Sequence, residues 1–127
     1  MPAPNFVLLY VDSPIASAEF YAQLLDDKPV ESSPTFAMFA LPSGVLLGLW
    51  SRHTVEPRAL AAGGGAELAF AVADDTAVDA LHASWSARGL SIAQAPTVLD
   101  FGRTFVALDP DGHRLRVFAP SAAQRSP

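Results

Sequence analysis

The stretch VLLYVDSPIASAEFYAQLL (Val7–Leu25) decides the fold, because a similar stretch returns later in the chain as LAFAVADDTAVDALHASWS (Leu68–Ser86). In each copy an apolar run of strand length precedes a polar turn, and a segment with the apolar spacing of a helix follows. Each copy is then followed by a hairpin pattern, FAMFALPSGVLLGLW (Phe36–Trp50) and TFVALDPDGHRLRVF (Thr104–Phe118). The sequence therefore predicts two tandem modules, each with the element order βαβββ.

Both predicted helices carry recognisable start signals. Ser13 suits an N-cap and Pro14 suits the first helical position, while Asp74 or Asp75 caps the second helix and Gly89 ends it. The spacing of apolar residues indicates which side of each helix is buried. For the first helix this side is expected to consist of Ile15, Ala18, Phe20, Tyr21, Leu24 and Leu25; for the second, of Val78, Leu81 and Trp85.

A length of 127 residues predicts a single domain, residues 1–127. Within it we expect a first module at 4–51, a linker at 52–65 that contains the run Gly63-Gly64-Gly65, and a second module at 66–120. Neither module alone can cover both faces of its sheet. The predicted fold class is therefore α+β: the two modules form a curved mixed sheet that encloses a cleft, with the helices on the outer face.

Composition excludes several functions. The formal net charge is -5 and Lys28 is the only lysine, so nucleic acid and anionic membranes are not expected partners. The chain has no cysteine, which excludes disulfides and thiol chemistry. No run approaches the roughly 20 apolar residues of a membrane span, and the start MPAPNF lacks the features of a signal peptide. We therefore expect a cytoplasmic protein.

The layout resembles the vicinal oxygen chelate superfamily, which includes glyoxalase I, extradiol dioxygenases, fosfomycin-resistance enzymes and bleomycin-binding proteins. The resemblance rests on residues in both halves. They are Val11, Asp12, Phe20, Tyr21, Leu25, Ala69, Phe70, Val72, Asp74, Asp75 and the closing run Asp109-Pro110-Asp111-Gly112-His113-Arg114-Leu115. Within the superfamily the chain is most similar to the small drug-binding, phenazine-resistance type, because of Phe36–Trp50 and Asp100–Arg103.

The resemblance also implies where a metal would be bound. Superfamily enzymes hold a divalent ion with one residue from the first strand and one from the last strand of each module. These positions fall here on Phe6, Gly48, Glu67 and Arg116. Of the four, only the Glu67 side chain is a metal ligand, and Arg116 brings a permanent positive charge. We therefore expect no metal and no cofactor. Glu67 and Arg116 either form a buried ion pair with each other or separately line the cleft.

Strand alternation, counted from these positions, predicts which residues face the cleft. Hairpin pairing is expected to place Met38 opposite Gly48 and Phe36 opposite Trp50. In the second module it is expected to place Phe105 opposite Arg116 and Arg103 opposite Phe118. Phe101 is expected at the mouth as a lid. The predicted ligand-binding residues are Phe6, Tyr10, Phe36, Met38, Gly48, Trp50, Glu67, Phe101, Arg103, Phe105, Arg116 and Phe118.

Other residues that carry chemistry elsewhere have simpler interpretations here. His53, His82 and His113 lie in a loop, a helix and a turn, and are expected to be exposed polar residues. The aspartate pairs lie at a helix start and in a turn, where capping explains them. No serine has the surroundings of a nucleophile elbow. The sequence therefore predicts no catalytic residues.

An aromatic cleft without metal ligands is typical of a site for a flat conjugated molecule. The predicted function is metal-independent binding and sequestration of an aromatic small molecule, for instance a phenazine antibiotic, by a binding protein rather than an enzyme. A metal-dependent enzyme of the glyoxalase or dioxygenase type is one alternative, and a catalytically silent module whose cleft is closed by its own side chains is another. The resemblance implies a homodimer, often with modules exchanged between subunits.

Overall fold

The computed structural model describes residues 3–121. In chain order the elements are β1 (Phe6–Val11), α1 (Pro14–Leu25), β2 (Glu31–Ser32), β3 (Phe36–Ala40), β4 (Leu46–Ser51), β5 (Glu67–Ala71), α2 (Asp75–Ala87), β6 (Ser91–Leu99), β7 (Gly102–Leu108) and β8 (Arg114–Pro120). The described part of the chain is thus α+β, and it follows the predicted βαβββ order twice. The boundary between two compact units lies between Gly63 and Gly64.

The first module is a four-stranded mixed sheet in the order β1-β4-β3-β2. Strand β1 pairs parallel to β4, and the other neighbours are antiparallel. In the hairpin, Phe36 lies opposite Trp50 and Met38 lies opposite Gly48, so both predicted pairings are confirmed. The turn is closed by a hydrogen bond from the Leu41 N–H to the Val45 carbonyl.

Helix α1 begins as the sequence predicts. The Ser13 hydroxyl accepts a hydrogen bond from the Ala16 N–H at 3.2 Å, and Pro14 occupies the first turn. The helix ends at Asp26, whose backbone is left-handed with φ 50°. Ala18 and Tyr21 are buried, whereas Ile15 is exposed, so the prediction that Ile15 belongs to the core is wrong. Ser17 is buried, together with Pro14, on the helix that contacts β3 and β4.

The second module has a sheet of the same form, in the order β5-β8-β7-β6. Asp74 is the N-cap of α2, and its carboxylate accepts a hydrogen bond from the Ala77 N–H at 2.8 Å. Under the helix, the Trp85 ring lies 5.4 Å from the Phe105 ring and 5.8 Å from the Phe70 ring, edge to face. Trp85 is therefore part of the core, as predicted.

The predicted register of the second hairpin is wrong by one residue. Phe105 lies opposite Val117, Thr104 opposite Phe118 and Arg103 opposite Ala119. The cause is that the two turns are equivalent, with N–H to carbonyl bonds from Leu41 to Val45 and from Asp109 to His113. Turns of equal length require that Phe36 corresponds to Thr104 and Met38 to Val106. The residues assigned to these two positions from the sequence, Arg103 and Phe105, point to the opposite side of the sheet.

Within residues 3–121, neither helix has the length and hydrophobicity needed to cross a bilayer.

Candidate functional site

One face of the first sheet is left uncovered by α1 and is here called the first open face. Burial alternates along β3, and Leu47 and Leu49 of β4 are fully buried on the side that α1 contacts. Strand β1 lies at the edge of the sheet, and Val7 on its α1 side is 37% exposed. On the other side Phe6 is 41%, Leu8 45% and Tyr10 40% exposed. The members of this face are Phe6, Leu8, Tyr10, Phe36, Met38, Leu46, Gly48 and Trp50.

The first open face carries three aromatic residues on adjacent strands. Tyr10, Trp50 and Phe36 lie side by side on adjacent strands. The Phe36 and Trp50 rings are perpendicular, with centroids 6.2 Å apart, and both residues are half-buried. Apolar side chains that remain partly exposed on a rigid sheet are suited to stacking against a flat ligand. All six predicted site residues of the first module therefore lie on one surface.

The space directly above Gly48 is occupied by neighbouring side chains. A side chain there would begin 2.7 Å from Leu8 Cδ2, 2.8 Å from Phe6 Cε1 and 3.0 Å from Phe36 Cζ. The tips of these three apolar side chains thus lie over Gly48, so the glycine lets them approach the backbone. The apolar side chains of Phe6, Leu8 and Phe36 therefore fill the space next to the Gly48 backbone, and a ligand would contact these side chains rather than the backbone.

The face of the second sheet opposite α2, here called the second open face, has other chemistry. The α2 side is identified by Phe105, which contacts both Trp85 and His82 of the helix. Residues of opposite parity form the second open face: Glu67, Ala69, Ala71, Thr104, Val106, Arg114, Arg116 and Phe118.

Arg116 is the centre of this face. Its Nε donates to Glu67 Oε1 at 2.7 Å and its Nη2 donates to Glu67 Oε2 at 3.0 Å, a bidentate ion pair. Its Nη1 donates to the Thr104 hydroxyl at 3.1 Å, and that hydroxyl in turn donates to the Val117 carbonyl at 2.8 Å. Of the two alternatives that the sequence leaves open for Glu67 and Arg116, the structure shows the ion pair. The pair is only partly buried, however, because the side chains of Arg116 and Glu67 are 16% and 29% exposed.

The electrostatics follow from this geometry. The hydrogen bonds from Arg116 lower the pKa of the Glu67 carboxyl, the charges of Arg116 and Arg114 act in the same direction, and desolvation opposes them. The same bonds raise the pKa of Arg116. Glu67 is therefore ionised at neutral pH and already engaged through both of its oxygens.

Aromatic rings complete the cluster. The Phe101 ring lies 5.9 Å from the centre of the Arg116 guanidinium, within the range of a cation–π contact. Phe101 also meets Phe118 edge to face, with centroids 5.8 Å apart. Its backbone is tied to β8 by the Ser121 N–H, which donates to the Phe101 carbonyl at 2.8 Å. Glu67, Phe101, Arg116 and Phe118 are thus brought together, as the prediction requires.

Two predicted site residues lie on the other side of the second sheet. Phe105 is fully buried beneath α2, so it belongs to the core. Arg103 reaches the helix, where its Nε donates to Asp79 Oδ1 at 2.9 Å. It lines a cavity of about 470 Å³ with Asp74, Asp75 and Val98, away from the second open face. Both corrections follow from the one-residue error in the register.

The sequence reasoning missed Thr104 and Arg114. Thr104 is fully buried and binds Arg116. Arg114 Nε lies 3.1 Å from Glu67 Oε2, although the alignment does not make a hydrogen bond. The sequence did contain a signal for Thr104. Aligning the turn glycines Gly44 and Gly112 makes Thr104 and Phe118 equivalent to the paired residues Phe36 and Trp50 of the first hairpin.

The mapped metal positions do not fit a divalent cation. Phe6 and Gly48 offer no ligand atom, and apolar side chains lie over Gly48. At the corresponding place in the second module, the guanidinium of Arg116 covers both oxygens of Glu67. Within residues 3–121, no group of three or more His, Asp or Glu side chains has an arrangement that could hold a metal ion. The donor set is that of an ion pair.

The sequence suggested that all three histidines are exposed polar residues, and this prediction is wrong for His82. His82 is half-buried, and its ring packs 5.3 Å from Phe105. His53 Nε2 lies 2.7 Å from Asp12 Oδ1, and Arg52 contacts the same oxygen at 3.4 Å. These two contacts lower the pKa of Asp12. His53, Arg52 and Arg58 line a cavity of about 370 Å³ with the apolar run Ala59–Ala62.

The family that the chain matches has the same fold and includes small-molecule resistance proteins. Residues 3–117 match the model of the Glyoxalase/Bleomycin resistance protein/Dioxygenase superfamily. The chain is 31% identical to the phenazine antibiotic resistance protein EhpR of Enterobacter agglomerans, over 90% of this chain and 89% of that protein.

Solved structures show the same relationship. The solution structure of protein ATC0852 from Agrobacterium tumefaciens has a TM-score of 0.89 and 56% identity, covering 96% of this chain and 100% of that one. A glyoxalase/bleomycin resistance protein/dioxygenase from Nocardioides has a TM-score of 0.79 and 26% identity, covering 94% and 84%. The chain therefore belongs to the Glyoxalase/Bleomycin resistance protein/Dioxygenase superfamily.

Proposed function

We propose that this protein binds and sequesters a flat aromatic small molecule, such as a phenazine antibiotic, without a metal ion. The observation that carries the proposal is the first open face. It exposes Phe6 and Tyr10 by about two fifths and presents the perpendicular Phe36–Trp50 pair beside them. The name of the relative from Enterobacter agglomerans supports a phenazine as the ligand.

Sequestration requires affinity and no chemistry, and the side chains are consistent with that requirement. Apolar rings supply surface area, and each stacked aromatic pair contributes roughly 0.5–1.5 kcal/mol beyond area burial. The exposure of Phe6, Leu8 and Tyr10 also favours an accessible face over one closed by its own side chains. The protein would act in the cytoplasm, as a homodimer, in stoichiometric amounts.

The two tryptophans allow a direct test. Trp50 lies on the first open face, whereas Trp85 is buried under α2. The Trp85→Phe variant therefore reports only from Trp50, and the Trp50→Phe variant reports only from Trp85. Titration of metal-stripped protein with phenazine should quench the fluorescence of Trp85→Phe saturably, with little quenching in Trp50→Phe.

Affinity is measured separately by calorimetry, because Trp50→Ala removes the fluorophore. Loss of a stacking partner should weaken phenazine binding about ten-fold, and the buried Trp85→Phe serves as the matched control. Unchanged affinity in Trp50→Ala would contradict binding at the first open face. An affinity that falls on chelation and returns on adding a divalent metal would contradict metal independence and favour an enzyme of the glyoxalase or dioxygenase type.

A further inference from the structure

We propose that this protein has a further binding site, in the segment that follows β4, for a phosphate monoester with a short apolar group. The site is the cavity of about 370 Å³ that is lined by Arg52, His53, Arg58 and the run Ala59–Ala62. All of these residues lie in the first compact unit. The inference goes beyond the proposed function, because none of these residues belongs to the first open face.

The backbone on one side of the cavity is fixed by Ser51, the last residue of β4. Its carbonyl accepts a hydrogen bond from the Val55 N–H at 3.0 Å, and its hydroxyl accepts one from the His53 N–H at 3.2 Å. Ser51 and Val55 are both buried. The Arg52 N–H donates to the Val11 carbonyl at 2.8 Å, which joins the segment to the end of β1. A ligand that binds here therefore orders little of this backbone, which lowers the entropic cost of binding.

The side chains of Arg52 and His53 are positioned by Asp12. Asp12 Oδ1 lies 2.7 Å from His53 Nε2 and 3.4 Å from Arg52 Nη2. The second contact is long and occupies one of the several N–H donors of the guanidinium, so the others remain for a ligand. Asp12 itself does not line the cavity. Its carboxylate can thus hold the two basic side chains without facing an incoming anion.

Arg58 is the basic residue that has no partner in the protein. Within residues 3–121 its guanidinium makes no hydrogen bond or ion pair. Arginine stays protonated, so its charge persists at the cavity. No acidic side chain of the described residues lines the cavity, although Glu56 is close by in the chain. Asp12 compensates at most one of the charges of Arg52 and Arg58, so the site attracts an anion.

Two guanidinium groups suit a phosphate monoester better than a carboxylate. The two oxygens of a carboxylate are satisfied by the fork of a single guanidinium. A phosphate monoester has three terminal oxygens and carries a charge of about -1.5 to -2 at neutral pH. It can therefore accept hydrogen bonds from Arg52 and Arg58 together. A monoanionic ligand would use only part of the charge that lines the cavity.

The rest of the lining indicates that the ligand is an ester and not the free phosphate ion. The run Ala59–Ala62 is apolar, and Leu60 within it is 90% exposed. The cavity volume falls in the usual range for small-molecule sites, about 300–1,000 Å³, and a phosphate group alone would leave most of it empty. A short alkyl group on the phosphate would cover Leu60, and each methylene buried in this way strengthens binding about four-fold.

The test is a titration followed by amide proton–nitrogen NMR at neutral pH and physiological ionic strength, with the signals of Arg52 and His53 as reporters. The probes are inorganic phosphate, n-butyl phosphate and pentanoate. The wild-type protein should bind butyl phosphate about five-fold more tightly than inorganic phosphate and about ten-fold more tightly than pentanoate. Arg58→Gln should weaken the binding of butyl phosphate about ten-fold.

Two further variants separate charge from contact. Lys28→Gln removes the same charge from the first module at a residue that does not line the cavity, and should change the affinity by less than about two-fold because salt screens it. Leu60→Ser should leave the affinity for inorganic phosphate unchanged and lower the preference for butyl phosphate to about two-fold. Both side chains are exposed, so the fold should tolerate these changes.

The possible results either support the site or overturn it. The site is refuted if butyl phosphate causes no saturable shift at Arg52 and His53, or if Lys28→Gln weakens binding as much as Arg58→Gln. Equal binding of pentanoate would exclude the phosphate class, and equal binding of inorganic phosphate would exclude the ester. Phenazine affinity should be the same in Arg58→Gln as in the wild type, so this inference can fail while the proposed function stands.

Discussion

The two open faces occupy equivalent positions in the two modules, yet they have opposite chemistry. Where the first module has Phe6, Leu8 and Tyr10 on its first strand, the second has Glu67, Ala69 and Ala71. On the last hairpin, the equivalent positions are Phe36 and Thr104, Met38 and Val106, Gly48 and Arg116, and Trp50 and Phe118. One face is aromatic and apolar, and the other is built around an ion pair.

The sides facing the helices show the contrary pattern. Leu47 corresponds to Leu115 and Leu49 to Val117, and all four are fully buried. At two equivalent positions the residue types differ: Ala37 corresponds to Phe105, and Phe39 corresponds to Ala107. The large and small side chains are exchanged, so the total buried side-chain volume is kept. The comparison teaches that packing against the helix preserves the module, while the open face is free to change its chemistry.

The largest expected effects on stability are therefore at the core positions that the two modules share. Leu47→Ala and the equivalent Leu115→Ala should each lower the free energy of unfolding by about 2–5 kcal/mol, because both side chains are fully buried. Urea denaturation followed by circular dichroism measures both. A cost below about 1 kcal/mol for either variant would break the equivalence of the two cores.

A smaller effect should distinguish the open faces at the equivalent positions Glu67 and Phe6. Glu67→Gln leaves Arg114 and Arg116 without a carboxylate and should cost about 1–3 kcal/mol. Phe6→Gln, at a position that is 41% exposed, should cost less than about 1 kcal/mol. Equal losses in the same denaturation experiment would show that the ion pair has no special structural role.

The two open faces should also differ in how the free energy of unfolding depends on pH in the acidic range. The folded-state pKa of Glu67 lies below its ordinary value of 4.5, so its contribution is present above that value and is lost as the pH falls through the folded-state pKa. Glu67→Gln should therefore flatten the decline in unfolding free energy between about pH 5 and pH 3, whereas Phe6→Gln should leave the slope unchanged. The check is urea denaturation at a series of pH values. Parallel profiles for Glu67→Gln and the wild type would contradict the lowered pKa.

The smallest expected effect concerns Phe101. Phe101→Ala removes the cation–π contact with Arg116 and the edge contact with Phe118, and should cost about 0.5–1 kcal/mol. Phe101→Leu is the matched control, since it keeps apolar volume but no ring. Thermal unfolding that ranks the leucine variant with the wild type would show that Phe101 acts by packing alone.

Much of the fold could be predicted from sequence because its signals are local. Ser13-Pro14 and Asp74 mark the helix starts, and the turn glycines mark the hairpins. The first hairpin was predicted in the correct register, because aromatic residues occupy both strands of one face. The second was not, because Phe105 and Arg103 have the residue types of a binding site, although the turn places them under α2.

Side-chain partners were harder to predict than strands. Glu67 and Arg116 were recognised as candidates because the repeat aligns both residues with mapped metal positions, but the sequence left open whether they pair with each other. The contribution of Thr104 depends on a hydroxyl bonded to both Val117 and Arg116, which no pattern of residue types reveals. The packing of Phe6, Leu8 and Phe36 over Gly48 likewise depends on rotamers set in three dimensions.

The bidentate pair between Glu67 and Arg116 also constrains how this chain can evolve. Substituting Arg116 alone by a metal ligand strands Glu67, and substituting Glu67 alone leaves two guanidinium groups unbalanced. A ligand introduced at Gly48 must first displace three apolar side chains. Each single substitution toward a metal site is therefore expected to be destabilising until the others are made, which is the condition for sign epistasis among these positions.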